Sequence, residues 1–152
     1  MTNRRDLQAR IDLANAAGAD LFIAIHSNAA SDPRASGIEV WYDGQRPFGA
    51  KNKALAQALQ RRLVSTVERE TGWRPWDRGI REDSCWDISD RSGECEPIFV
   101  LGPAQEVKRM DGMLLGIDPA ALGFATGEDR LITRPTLMPA ALVELLFITH
   151  PF

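Results

Sequence analysis

Two stretches of this chain are apolar almost without a break: DLFIAIH at Asp20–His26 and PAALVELLF at Pro139–Phe147. Runs this short are strand length rather than helix length. Their continuous apolarity suits strands covered on both faces, as in a parallel sheet between helical layers. The first run follows directly on a predicted helix. Asn3 is a fair N-cap with Asp6 in the first turn, and Leu7, Ile11, Ala14 and Ala17 recur at helical spacing until Gly18 ends the pattern. Ser31–Ser36 reads as a loop, Gly37–Tyr42 (GIEVWY) alternates as a strand should, and DGQRPFG is again a loop. A long helix is expected from about Ala50 to Thr71, with Leu55, Leu59, Leu63 and Val67 on one stripe and Gly72 as its stop. The order helix, strand, strand, helix predicts an α/β domain whose mainly parallel, twisted sheet is flanked by helices.

The remainder is less regular. Trp73–Glu96 reads as an irregular polar segment, yet it holds Trp73, Trp76 and Trp86, so it is expected to pack on something or bind something. Pro97–Pro103 reads as a short strand. Residues 104–134 fit no single pattern; VKRMDGMLLGI and DPAALGF each read as a turn or two of helix. Within CWDISDRSGEC, Asp87, Asp90 and Glu94 lack the ligand rhythm of a calcium loop, so a solvated or disulfide-closed loop is the expectation.

A chain of 152 residues points to one domain, able to bury a core without disulfides. Its net charge of −3 carries no polyanion-binding signature, which argues against a nucleic-acid partner; Arg61-Arg62 reads as a solvated helix face. No apolar run reaches bilayer-spanning length, and MTNRRDLQAR has no apolar stretch behind its charges to make a signal peptide. Cys85 and Cys95 are too few for a disulfide scaffold, but would form one local bridge outside the cytosol.

Two polar residues interrupt the apolar strands. His26 ends the first, where ligands collect beyond the carboxyl ends of parallel strands. Its bland role is a hydrogen bond to a loop, and its functional role is zinc ligation. Glu144 lies among Leu142, Val143, Leu145 and Leu146. An unpaired carboxylate there costs several kcal/mol, so it is expected either to meet an arginine or to serve as a general acid or base tuned by burial.

RIDLANAAGADLFIAIHSNA (Arg10–Ala29), GIEVWY, RGI from Arg78 and PAALVELLFIT (Pro139–Thr149) together resemble the zinc-dependent N-acetylmuramoyl-L-alanine amidases of the amidase-3 type. Order, spacing and strand context agree over Asp6–Tyr42 and Pro139–Thr149. The resemblance implies cleavage of the amide between the muramic acid lactyl group and L-alanine in peptidoglycan. It places His26 on a zinc ligand and Glu144 on the catalytic glutamate. Asn28 then lines the site, Arg78 and Gly79 fall on a loop near the substrate cleft, and Arg10 and Asn15 support the fold. Glu39 matches the strand motif and is given no catalytic role.

The chain also departs from that pattern. The family's opening strand, whose Gly-His-Gly turn carries the first zinc histidine, is not in this sequence, nor is the glutamate ligand that follows it. His150, six residues beyond Glu144 and about 20 Å away along an extended strand, is not expected to substitute. The family's C-terminal helix has no counterpart after THPF, and residues 102–135 read as an insertion. The expectation is therefore a single amidase-like domain over residues 1–152, acting on peptidoglycan with Zn2+, outside the cytoplasm or as a phage lysin. His26 alone does not make a tight zinc site. The alternative is a catalytically inactive cell-wall- or partner-binding module, with Trp73, Trp76 and Trp86 stacking on sugars, and a third outcome is a fragment with neither role.

Overall fold

The computed structural model describes residues 3–46, 48–83, 98, 100–101, 106–108, 130–132 and 135–150. Its elements in chain order are α1 (Asn3–Ala16), β1 (Phe22–Asn28), β2 (Ile38–Tyr42), α2 (Gly49–Thr71), β3 (Asp77–Glu82), β4 (Glu106–Lys108), β5 (Arg130–Ile132) and β6 (Ala140–Phe147). β1, β6, β2 and β3 form a four-stranded sheet in that order, and β4 and β5 form a separate antiparallel pair. β1 runs parallel to β6 and β2 parallel to β3, while β2 and β6 are antiparallel where the two pairs meet. The sheet is thus mixed, with parallel pairs at both sides of one antiparallel junction.

The apolarity of β6 follows from its place. Side chains alternate across a strand, so Ala140 and Leu142 face one side and Ala141 and Val143 the other. Ala140 and Leu142 pack with Ile11 of α1 and with Ile98, Val100 and Leu101, with Leu7, Phe22, Ala24 and Trp41 around them. Ala141 and Val143 pack with Val40, Tyr42 and Ala56, with Leu55, Leu59, Leu63, Ile80 and Leu145 around them. The helices therefore cover opposite faces, and β6 is buried between them.

α2 differs from its predicted stripe by about one residue. Its fully buried line is Asn52, Ala56, Gln60 and Val64, and the expected leucines flank it, partly buried. The reason is hydrogen bonding. The Asn52 side chain donates to the Asp43 carbonyl (2.7 Å) and accepts from the Ala140 N–H (2.9 Å), tying α2 to β6. Gln60 Nε2 donates to the Ile38 carbonyl (2.9 Å) and to Asp77 Oδ1 (2.6 Å). Gly72 ends the helix in the left-handed region at φ 70°.

Three sequence expectations need correction. β1 is not covered on both faces: it lies at one end of the strand order among the described residues, and its Ile23 and Ile25 are 40% and 66% exposed. The segment read as irregular from Trp73 contains β3, which is charged and alternates poorly because it lies at the sheet's end with its polar side chains half exposed. The strand expected at Pro97–Pro103 is a turn in its described part: Leu101 N–H donates to the Ile98 carbonyl (2.8 Å), and the residues plug the core beneath α1. The expectations resting on Cys85, Trp86, Asp87, Asp90, Glu94 and Cys95 fall outside the described residues, as does most of the segment 102–135.

Candidate functional site

The site is built where three strands end together. In the parallel pairing His26 of β1 stands beside Glu144 of β6, and in the antiparallel pairing Glu144 stands beside Glu39 of β2. Register partners share a face, so the three side chains form one row on the α1 side of the sheet, just past the packed rows of Ala24, Leu142 and Trp41. The antiparallel junction brings the carboxyl ends of β1 and β6 to the amino end of β2, and β3 starts at that same rim.

Two irregularities in the ladder aim further residues at this row. On β6, the pairing steps from His26–Glu144 to Asn28–Phe147, and Leu146 takes a φ of 50°. On β3, it steps from Ile38–Asp77 to Glu39–Gly79, with Gly79 at φ 78° and Arg78 as the extra residue. A bulge of this kind redirects side chains at a strand end. The results meet: the Arg78 guanidinium lies 5.1 Å from the centre of the Phe147 ring.

Glu39 gathers the polar groups of the rim. One of its oxygens accepts from Asn28 Nδ2 (3.0 Å) and Trp41 Nε1 (3.2 Å), and the other from Arg78 Nε (2.7 Å). Arg81 Nε stands 3.9 Å away. Glu144 is the opposite case. It is 4% exposed, and its Oε2 has no hydrogen-bond partner among the described residues. Burial first, and then the neighbouring Glu39 charge, raise its pKa from 4.5 to about 7. An acid so placed can hold or release a proton near neutrality.

Comparison with known proteins decides the lineage. The profile of the N-acetylmuramoyl-L-alanine amidases of the amidase-3 type matches residues 1–152. The chain belongs to this amidase family. N-acetylmuramoyl-L-alanine amidase LytC of Bacillus subtilis (strain 168) is 37% identical over 75 residues, covering 49% of this chain and 14% of that protein. YqiI of the same organism, an uncharacterized protein, is 32% identical over 83 residues, 55% of this chain and 36% of its own length. The chain thus spans well under half of these two relatives. The crystal structure of the N-acetylmuramoyl-L-alanine amidase from Clostridium difficile 630 superposes with a TM-score of 0.50 at 27% identity, covering 95% of this chain and 50% of that one. Cwp6 from Clostridium difficile, at 22% identity and a TM-score of 0.51 over 95% of this chain and 16% of its own, shares the fold. The α/β amidase architecture and the peptidoglycan-amidase lineage stand on these likenesses.

For this amidase-family chain the structure places His26, Asn28, Arg78 and Glu144, the four residues singled out in the sequence, at one end of one sheet. His150 lies beyond β6 in a turn, its N–H on the Phe147 carbonyl (3.1 Å), so it does not continue the row of Glu144. Arg10 pairs with Asp6 on the exposed side of α1, while Asn15 holds the chain entering β6 through the Pro135 carbonyl (3.1 Å) and the Leu137 N–H (2.8 Å). The residue the sequence reading passed over is Glu39. Its signal was an acid inside an alternating apolar strand, on the same side as Trp41.

Among the described residues no group of three or more His, Cys, Asp or Glu side chains could hold a metal ion. Catalytic zinc centres take three protein ligands. Glu39 is also a poor donor to a metal, since both its oxygens are occupied by N–H groups. The described residues therefore do not by themselves compose a zinc site.

Proposed function

We propose that this chain carries amide-hydrolysing chemistry directed at peptidoglycan, cleaving the bond between the muramic acid lactyl carbonyl and L-alanine. The observation that supports it is Glu144: a buried carboxyl with an oxygen left unpartnered among the described residues, its pKa raised to about 7, in register with His26 where the strands end. In this reading Glu144 takes a proton from water as the oxygen attacks the lactyl carbonyl carbon. It then delivers that proton to the amide nitrogen, the C–N bond breaks, and the products are a lactyl carboxylate and the amino terminus of the peptide. Arg78 and Asn28 hold the substrate at the rim.

Zinc is the family's cofactor in this reading, and His26 is the residue that would enter its coordination with donors beyond the described set. Among the described residues that ligand set is incomplete. Peptidoglycan as substrate implies work outside the cytoplasm, as a wall enzyme or a phage lysin. Among the described residues no helix is long and apolar enough to cross a membrane.

The test is release of new L-alanyl amino termini from purified peptidoglycan in the presence of Zn2+. Wild type is expected to release them, and Glu144→Gln to lose roughly 10²–10⁴-fold in rate, the range for a proton-transfer residue. A second reading, a wall-binding module without catalysis, is favoured by Trp73 and Trp76, which are 49% and 70% exposed where the chain enters β3. Sedimentation with peptidoglycan without amine release would select it.

A further inference from the structure

The rim holds a cation that is fixed at one edge and open at the other. Arg78 donates Nε to Glu39 Oε2 at 2.7 Å and lies over the Phe147 ring at 5.1 Å. Its terminal nitrogens take no hydrogen-bond partner among the described residues, and its side chain is 31% exposed. Among the described residues, Arg78 and Arg81 both pair with the Glu39 carboxylate, at 2.7 and 3.9 Å, so two cations share one anion. A guanidinium held this way presents two parallel N–H groups in a fixed plane, the arrangement that matches a carboxylate.

We propose that Arg78 reads a carboxylate on the peptide side of the substrate, and that Glu39 is the positioning residue that aims it. The inference rests on the peptidoglycan reading and names the group recognised. Glu39 suits the task because all its partners are donors. Asn28 Nδ2 and Trp41 Nε1 meet one oxygen and Arg78 Nε the other, so the position requires two acceptors. A glutamine satisfies one side only. Whichever way its amide turns, an NH2 group faces either Arg78 or the Asn28–Trp41 pair, and one of the two is released. Arg78 is also seated by the bulge at Gly79, so its backbone is set independently of the ion pair.

The experiment measures binding of muramoyl-L-alanyl-D-isoglutamine, as the free acid and as the methyl ester, to the whole chain by calorimetry. Wild type is expected to bind the acid about tenfold more tightly than the ester, the scale of one charge-assisted pair. Glu39→Gln should reduce that preference to less than twofold while the backbone amide spectrum stays in place. Arg78→Gln, which leaves Glu39 on Asn28 and Trp41, should do the same and serves if Glu39→Gln does not fold. The Arg78 Nε–H resonance provides a readout that a merely structural role would not move selectively: slow solvent exchange in wild type, fast exchange in Glu39→Gln. Equal affinity of wild type for acid and ester overturns the carboxylate assignment. Full discrimination in Glu39→Gln overturns the positioning role. Absence of binding by either ligand overturns the peptidoglycan reading itself, and this one with it.

Discussion

Glu39 and Glu144 stand opposite each other across the antiparallel junction, and among the described residues only Glu39 is matched by cations. The two acids are sorted by environment. Glu39 accepts from three N–H donors and faces two arginines, while burial first, and then the neighbouring Glu39, raise the pKa of Glu144 to about 7.

This sorting makes stability depend on pH with a definite sign. In the unfolded chain Glu144 ionises near 4.5, whereas in the fold it does so at about 7. The folded state holds the proton more tightly, so Glu144 favours folding fully below pH 4.5. That contribution is lost as pH rises to about 7. Glu144→Gln removes the penalty of ionising a buried acid. Urea titrations of the two proteins should differ by on the order of 2–3 kcal/mol at pH 8, with the variant more stable, and converge near pH 4. A constant difference at both pH values would contradict the assignment.

Gly79 turns the chain so that Arg78 reaches Glu39. A Cβ there would meet no atom of the described residues within 4 Å, but φ is 78°, so the cost of Gly79→Ala is conformational. It should be roughly 1–2 kcal/mol by thermal or chemical unfolding. The same variant should speed exchange of the Arg78 Nε–H, since relaxing the bulge moves Arg78 off its acceptor.

Asn52 is a polar residue doing the work of a core contact. It supplies a donor to Asp43 and an acceptor to Ala140, both buried. Asn52→Ala strands both backbone groups, and unfolding should register a loss of about 2–4 kcal/mol. Asn52→Asp restores the acceptor alone and should recover part of it.

The helices and β6 were legible because apolar pattern reports burial, whereas the unbroken apolarity of β1 misled: Ile23 and Ile25 face outward, exposed. β6 runs from Ala140 to Phe147 as read, since both its faces are covered. β3 was not legible, because half-exposed polar side chains at the sheet's end erase the alternation. The true line of α2 was hidden for a related reason: Asn52 and Gln60 are buried by virtue of backbone partners on distant strands, which hydrophobicity does not encode. At the site, His26 and Glu144 announced themselves by being polar in apolar runs. Glu39 carried the same mark, but its importance lies in Asn28 and Arg78, eleven and 39 residues away, brought to it by register and by two bulges.

The account turns on Glu144 being an acid poised to exchange a proton at the rim of the sheet. Its carboxyl carbon, followed by NMR in the metal-free folded protein from pH 4 to 9, should titrate with a midpoint at about 7. A midpoint near 4.5, the ordinary value for a glutamate, would show an acid that is solvated or paired, and would contradict the account.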